Sequence, residues 1–232
     1  MCEEPEFGQS GIMDGPDSFW AKLGPAEKAA VVGISTVHNY EPNEFLVREG
    51  DPSRSVLVIR SGHVRVLTTD ADGRPLLLAL RTAGDILGEV ATLVDGPRTA
   101  TLQALDAVEV LTMRGQHFAT LCQTEPKFAW VLLGILANRL RDGSFQGVVS
   151  GGSSKRRVAL LLLELAVRYG RPSGTDVELT APGTQDELAS TLGISRETLA
   201  RILRELRNSG VITTGRVHYT IHRMGELKRL AH

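Results

Sequence analysis

The chain opens on a stretch with no periodicity. Residues 1–17 are rich in Glu, Gly, Pro and Ser, a composition that predicts a disordered tail. Apolar positions then recur at helical spacing: Phe19, Trp20, Leu23, Ala26, Ala30 and Val31 predict a short helix over 19–32. From Tyr40 to Met113 the pattern shortens to β-rich runs at 45–47, 55–59, 63–68, 76–80, 99–104 and 107–111, each bounded by turn residues. Among these, Asp72-Gly73 is a strong hairpin signal, because Gly accepts positive φ without strain. Many short strands at regular spacing predict a jelly roll or small barrel, which leaves few open edges. With the preceding helix it accounts for residues 18–125.

Residues 126–141 (PKFAWVLLGILANRLR) predict a helix that is apolar nearly all the way round. Such a helix is buried on both sides. One side can cover its own barrel, and the other needs a second surface, which Gly134 lets approach closely. That surface is either a second copy of the chain or the remainder of one larger domain, and the shortness of the flanking sequence favours the dimer. The stretch 143–154 holds four Gly and four Ser, the composition of a hinge, so 126–152 reads as dimerisation helix plus hinge. Ser153 or Ser154 then caps a Leu-rich helix over 155–168.

The densest pattern lies at 184–210, TQDELASTLGISRETLARILRELRNSG. Thr184 followed three residues on by Glu187 is a capping box, opening a helix over 185–192 that stops at Gly193. Ser195 caps a second helix in which Leu199, Ile202, Leu203 and Leu206 form the buried stripe, while Arg196, Glu197, Ala200 and Arg201 point elsewhere. Two helices joined by a short Gly turn, the second opening on a polar face, predict a helix-turn-helix. Arg can hold guanine O6 and N7 together, and Glu accepts from the cytosine amino group, so this face suits base reading in a major groove. Residues 211–213 and 217–221 flank a Gly turn and predict a small hairpin, a wing. The whole of 153–232 is thus expected to be a winged helix-turn-helix, and the expected class is α+β.

Charge sharpens the division. Residues 1–152 hold 13 Lys and Arg against 19 Asp and Glu, whereas 153–232 hold 13 against 8. An acidic front and a basic back direct any polyanionic partner to the C-terminal part. Apolar residues make up 42% of 232, ordinary for a soluble globular protein, and no apolar run reaches the roughly 18 residues a membrane span needs. The first residues lack a basic stretch followed by an apolar one, and Cys2 and Cys122 are the only cysteines, so a reducing cytoplasm is expected. Two cysteines cannot ligate a four-cysteine iron–sulfur cluster, no axial haem ligand is identifiable, and the six scattered histidines lack metal-site spacing. No catalytic triad order, P-loop or dinucleotide fingerprint is visible, so neither metal nor enzymatic activity is expected.

Ser195-Arg196-Glu197-Thr198 with Arg201 resembles the recognition helix of the catabolite activator (cyclic AMP receptor protein) and fumarate–nitrate regulator superfamily, closest to its cyclic AMP receptor branch. The likeness covers roughly residues 19–221. A second match, GEVATLVDGPRTAT at 88–101, is similar to the phosphate-binding cassette of cyclic-nucleotide domains. The resemblance implies a cyclic-nucleotide-binding β-roll of double-stranded β-helix type. In it Arg98 clamps the single negative charge of a cyclic phosphate, Thr99 adds its hydroxyl and backbone N–H, Glu89 accepts from the ribose 2′-hydroxyl, and Gly88 lets the backbone come close. Arg139 corresponds to the family Arg that pairs with the cassette Glu. Of the adjacent hydroxyl pair that reads adenine, Gly143-Ser144 keeps only the Ser144 hydroxyl. At the DNA end the resemblance implies base contacts from Arg196, Glu197 and Arg201, phosphate contacts from Thr184, Ser195 and Thr198, and palindromic sites of TGTGA type. The expected protein is a homodimeric transcription regulator controlled by a cyclic nucleotide such as cyclic AMP, with RNA polymerase as a further partner. The alternative is a constitutive DNA-binding regulator whose roll serves only dimerisation.

Overall fold

The computed structural model describes residues 17–52, 54–69, 75–141, 153–180, 184–215 and 218–231. Residues 1–16 of the expected tail, the Asp72-Gly73 turn, and the hinge with Gly143 and Ser144 lie outside the described residues. Where one helix was expected at 19–32 there are two, α1 (Phe19–Lys22) and α2 (Pro25–Gly33). Pro25 is the cause: it disfavours helical backbone at Gly24, which is extended (φ −78°, ψ 170°), and it is well suited to a first helical position.

Next come β1 (Ser35–Tyr40), β2 (Phe45–Val47), β3 (Ser55–Ser61), β4 (His63–Thr69), β5 (Pro75–Thr82), β6 (Ile86–Leu87), α3 (Glu89–Leu93), β7 (Thr101–Ala104) and β8 (Val108–Arg114). They form two antiparallel four-stranded sheets, ordered β1-β8-β3-β6 and β2-β7-β4-β5. The fold is α+β, with an N-terminal β-sandwich. Strand β1 escaped the sequence reading because its four central residues are all exposed, so it shows no alternation and is held as an edge by β8.

Both faces of strands β4 and β5 are used. Cross-strand partners share a face. Val64 opposite Arg81, and Val66 opposite Ala79, face the interior of the roll. Arg65 opposite Leu80, and Leu67 opposite Leu77, face outward. An irregularity in register between Val66 and Leu67 leaves Leu78 as an extra residue, so Leu77 and Leu80, three apart, both turn outward.

After β8, α4 (Gly115–Thr124) and α5 (Pro126–Arg141) close the roll. Phe128 meets Phe19 and Phe118 edge-on, with centroids 5.5 and 6.0 Å apart, in a core shared with Val56, Met113, Leu132 and Ile135. The other face of α5 is uncovered: Trp130 is 77% exposed, Leu133 58% and Leu140 83%. At the 3.6-residue period these share one stripe with Gly134 and Ala137.

The C-terminal half comprises α6 (Ser154–Tyr169), β9 (Arg171–Ser173), β10 (Asp176–Thr180), α7 (Gln185–Thr191), α8 (Arg196–Asn208), β11 (Ile212–Thr214), β12 (His218–Ile221) and α9 (Met224–Ala231). The expected wing hairpin is β11–β12, and it belongs to a larger sheet, β11-β12-β10-β9. Ser153, not Ser154, caps α6: its Oγ accepts from the Arg156 N–H at 3.3 Å. Ser153→Ala is expected to lower stability by about 1 kcal/mol, read as a shift in urea midpoint at unchanged slope.

Helix α7 seats on the outward face of β5. Leu67 and Leu77 join the buried cluster that holds Leu162, Leu188, Leu199 and Leu203. Thr191 Oγ1 accepts from the Leu77 N–H (3.2 Å) and donates to the Glu187 carbonyl (2.8 Å). Arg65, 5% exposed, donates to both Glu187 carboxylate oxygens (3.0 and 3.3 Å), to Asn43 Oδ1 (3.1 Å) and to Gln103 Oε1 (2.8 Å).

Candidate functional site

Two groups of predicted residues fall in two separate places. The first is a cavity of about 300 Å³ inside the roll, bounded by Gly88, Glu89, Arg98, Thr99 and Arg139 among others. Gly88 precedes α3 with φ +76°, a left-handed conformation, and a β-carbon there would collide with Arg98 Nη1. The left-handed conformation calls for glycine, and any side chain there would also push the Arg98 guanidinium out of its place.

Arg98 is 4% exposed. Its Nη1 donates to the Gly88 carbonyl (3.2 Å), and its Nη2 to the Ser55 carbonyl and hydroxyl (2.8 and 3.0 Å). Among the described residues Nε has no hydrogen-bond partner, and one Nη1 hydrogen is left over. Burial pushes the Arg98 pKa below its ordinary value, against the opposing pull of Asp51 and Glu89. A buried cation with orphaned donors and no acid in direct contact favours an anion.

Glu89, 3% exposed, is held by Arg139 Nη1 at 2.7 Å, while Arg139 Nη2 donates to the Ile86 carbonyl at 2.8 Å. Helix α5 is thereby tied to the turn that opens α3. Thr99 sits exposed at the cavity rim, just before β7. The predicted Ser144 lies outside the described residues. Cavity residues that the sequence reading missed are Val66, Leu78, Arg81 and Leu102, together with Ser55 as the Arg98 acceptor. The alternation of β4 carried a signal for Val66; nothing in the near-continuous apolar run of β5 pointed to Leu78 or Arg81.

The second place is the face of α7 and α8. The capping box is complete: Glu187 N–H donates to Thr184 Oγ1 (3.2 Å) and Thr184 N–H to Glu187 Oε2 (2.7 Å). Gly193 turns the chain with φ +59°. Ser195 Oγ accepts from the Thr198 N–H at 3.2 Å and lies 3.1 Å from Thr198 Oγ1, so both hydroxyls cluster at the start of α8. Leu199, Ile202, Leu203 and Leu206 are buried. Arg196 is 63% exposed, 3.6 Å from Asp186, and Arg201 is 62% exposed, 2.8 Å from Glu205. Glu197 is fully exposed, and its pKa is lowered by a hydrogen bond from its own backbone N–H, then by Ser195 and Arg196, which keeps it an acceptor at neutral pH. Arg204, unremarked in the sequence, is also exposed on α8, three residues beyond Arg201.

Comparison with known proteins accords with both places. Residues 37–125 match a cyclic nucleotide-binding domain, and 156–230 a Crp-like helix-turn-helix domain. The chain is 32% identical to the CRP-like cAMP-activated global transcriptional regulator of Mycobacterium tuberculosis, over 89% of each chain. It is 29% identical to the cyclic AMP receptor protein of Thermus thermophilus, over 83% of this chain and 87% of the other. The structure of FixK2 from Bradyrhizobium japonicum shares the fold, with a TM-score of 0.73 and 22% identity, covering 86% of this chain and 98% of that one.

Proposed function

From the premise that this chain belongs to the cyclic AMP receptor protein/fumarate–nitrate regulator family of DNA-binding transcription regulators, we propose that it acts as a homodimer whose grip on DNA is set by a cyclic nucleotide held in the roll. The observation that carries this is Arg98, a buried guanidinium with donors to spare beside a left-handed glycine whose missing side chain leaves it room. Dimerisation is supported by the uncovered stripe of Trp130, Leu133 and Leu140 on α5, with Val90, Leu93 and Val94 exposed nearby in sequence to the cavity. Cyclic AMP is the effector that the names of the relatives carry and that the sequence resemblance implies.

The effector acts by binding one arrangement of the dimer more tightly, bringing the two α8 helices to the spacing of one DNA turn, about 34–36 Å. At the DNA, Arg196, Glu197 and Arg201 read base edges of TGTGA-like half-sites, and Thr184, Ser195 and Thr198 hold phosphates. The protein works in the cytoplasm and engages RNA polymerase from the bound site.

The test is a gel shift on a TGTGA palindrome with and without cyclic nucleotide. Tighter binding with nucleotide is expected; equal binding selects the constitutive alternative, and no preference over random duplex ends the base-reading assignment. Arg196→Ala should cost about 1–3 kcal/mol at a single base position, seen by competition with singly substituted sites.

A further inference from the structure

Besides Arg98 and Arg139, the effector cavity holds a third guanidinium, which the family resemblance does not account for. Arg81 lines it, and among the described residues its hydrogen bond is to the Leu80 carbonyl (3.2 Å), with no acid in contact. Its placement follows from register. Arg81 pairs with Val64, and Val64 is fully buried in the interior of the roll, so Arg81 stands on the inner face.

Its distance from the phosphate clamp follows from the same pairings. Thr99 leads directly into β7, whose Thr101 is level with Leu67, whereas Arg81 is level with Val64. The order β7-β4-β5 therefore separates Thr101 from Arg81 by two strands and three residues, roughly 10 Å across the sheet and roughly 10 Å along it. Arg81 and the Arg98–Thr99 clamp stand at opposite ends of the cavity. At about 300 Å³ the cavity lies at the small end of ligand pockets, a fit for a mononucleotide. A cyclic nucleotide with its phosphate at Arg98 and its ribose at Glu89 can turn its base along β5, where Arg81 stands, and away from the Gly143-Ser144 pair that the resemblance assigns to adenine.

A guanidinium only donates. Guanine offers it two adjacent acceptors, O6 and N7, for a bidentate contact; adenine offers N7 beside an amino group that also donates. We infer that Arg81 is a specificity residue that makes this cavity prefer a guanine cyclic nucleotide over its adenine counterpart. This rests on the reading of the roll as a cyclic-nucleotide site and replaces only the base within it.

Calorimetric titration of the full chain with cyclic GMP and with cyclic AMP tests it. The wild type should bind cyclic GMP roughly ten-fold or more tightly than cyclic AMP. Arg81→Leu should erase that preference by weakening cyclic GMP while leaving cyclic AMP nearly unchanged. Should the leucine variant not fold, Arg81→Lys, which keeps the charge and loses the fork, is expected to lose the preference as well. Equal affinities in the wild type, a preference for cyclic AMP, or a preference that survives in either variant overturns the guanine assignment and leaves the cyclic-nucleotide reading standing. No binding of either nucleotide overturns both.

Discussion

Replacing Arg98 by leucine is expected to abolish cyclic-nucleotide binding and leave the roll folded. Held by Gly88 and Ser55 next to Thr99, the Arg98 guanidinium is the one placed for a cyclic phosphate, since Arg139 is engaged by Glu89 and Arg81 stands at the far end; losing two charge-assisted hydrogen bonds corresponds to about 100-fold or more in affinity. The cost to folding is small because two effects oppose. The Gly88 and Ser55 carbonyls lose a donor, at about 1–3 kcal/mol for each buried group left unsatisfied. Against this, a buried cation with an orphaned Nε disappears, and the desolvation cost of keeping that charge inside the roll disappears with it. Calorimetry gives the first result and thermal unfolding the second. An unchanged titration would remove Arg98 as the clamp.

The second large effect is expected at Arg65. Removing its side chain leaves Glu187 facing the seam between roll and α7 with its partner gone, and strips Asn43 and Gln103 of a donor. Breaking one side of a buried ion pair costs about 3–5 kcal/mol. Arg65→Ala should therefore unfold at lower urea and in two steps, because the contact that makes the halves melt together is gone. The paired change Arg65→Met with Glu187→Gln should recover much of the loss. A single transition at the original midpoint in Arg65→Ala would show that Leu67, Leu77 and Thr191 suffice to hold α7 on the sheet.

The C-terminal half was legible in the sequence almost residue by residue, because its signals are local. A cap, a box partner three residues on, a Gly at the turn and a stripe at helical spacing all lie within 184–210, and each has the geometry expected of it. The roll was legible as a class and less so in its parts. Edge strand β1 hid because exposure on both faces erases alternation, and β9 hid because a short, fully exposed strand resembles a loop, whereas β10 carried an alternation in Val177 and Leu179 that went unread. Within the cassette, the residues at 88, 89, 98 and 99 were readable from their resemblance to a known pattern, while Leu78 and Arg81 depend on a bulge and on partners in β4 far along the chain. Such partners leave no trace in a local window. Helix α5 was read from being apolar all round, and the structure shows which side its own roll takes.

The hairpin of β4 and β5 also limits how this gene can drift. Its strands show Val64 and Val66 to the ligand chamber and Arg65 and Leu67 to the DNA-binding half. Deleting one codon within β4 would swap these roles at a stroke, turning a guanidinium into the chamber and a valine toward Glu187. Point substitutions can retune either side alone, but a change of one residue in length has to be absorbed by a bulge, as at Leu78, or out in the connection between the strands.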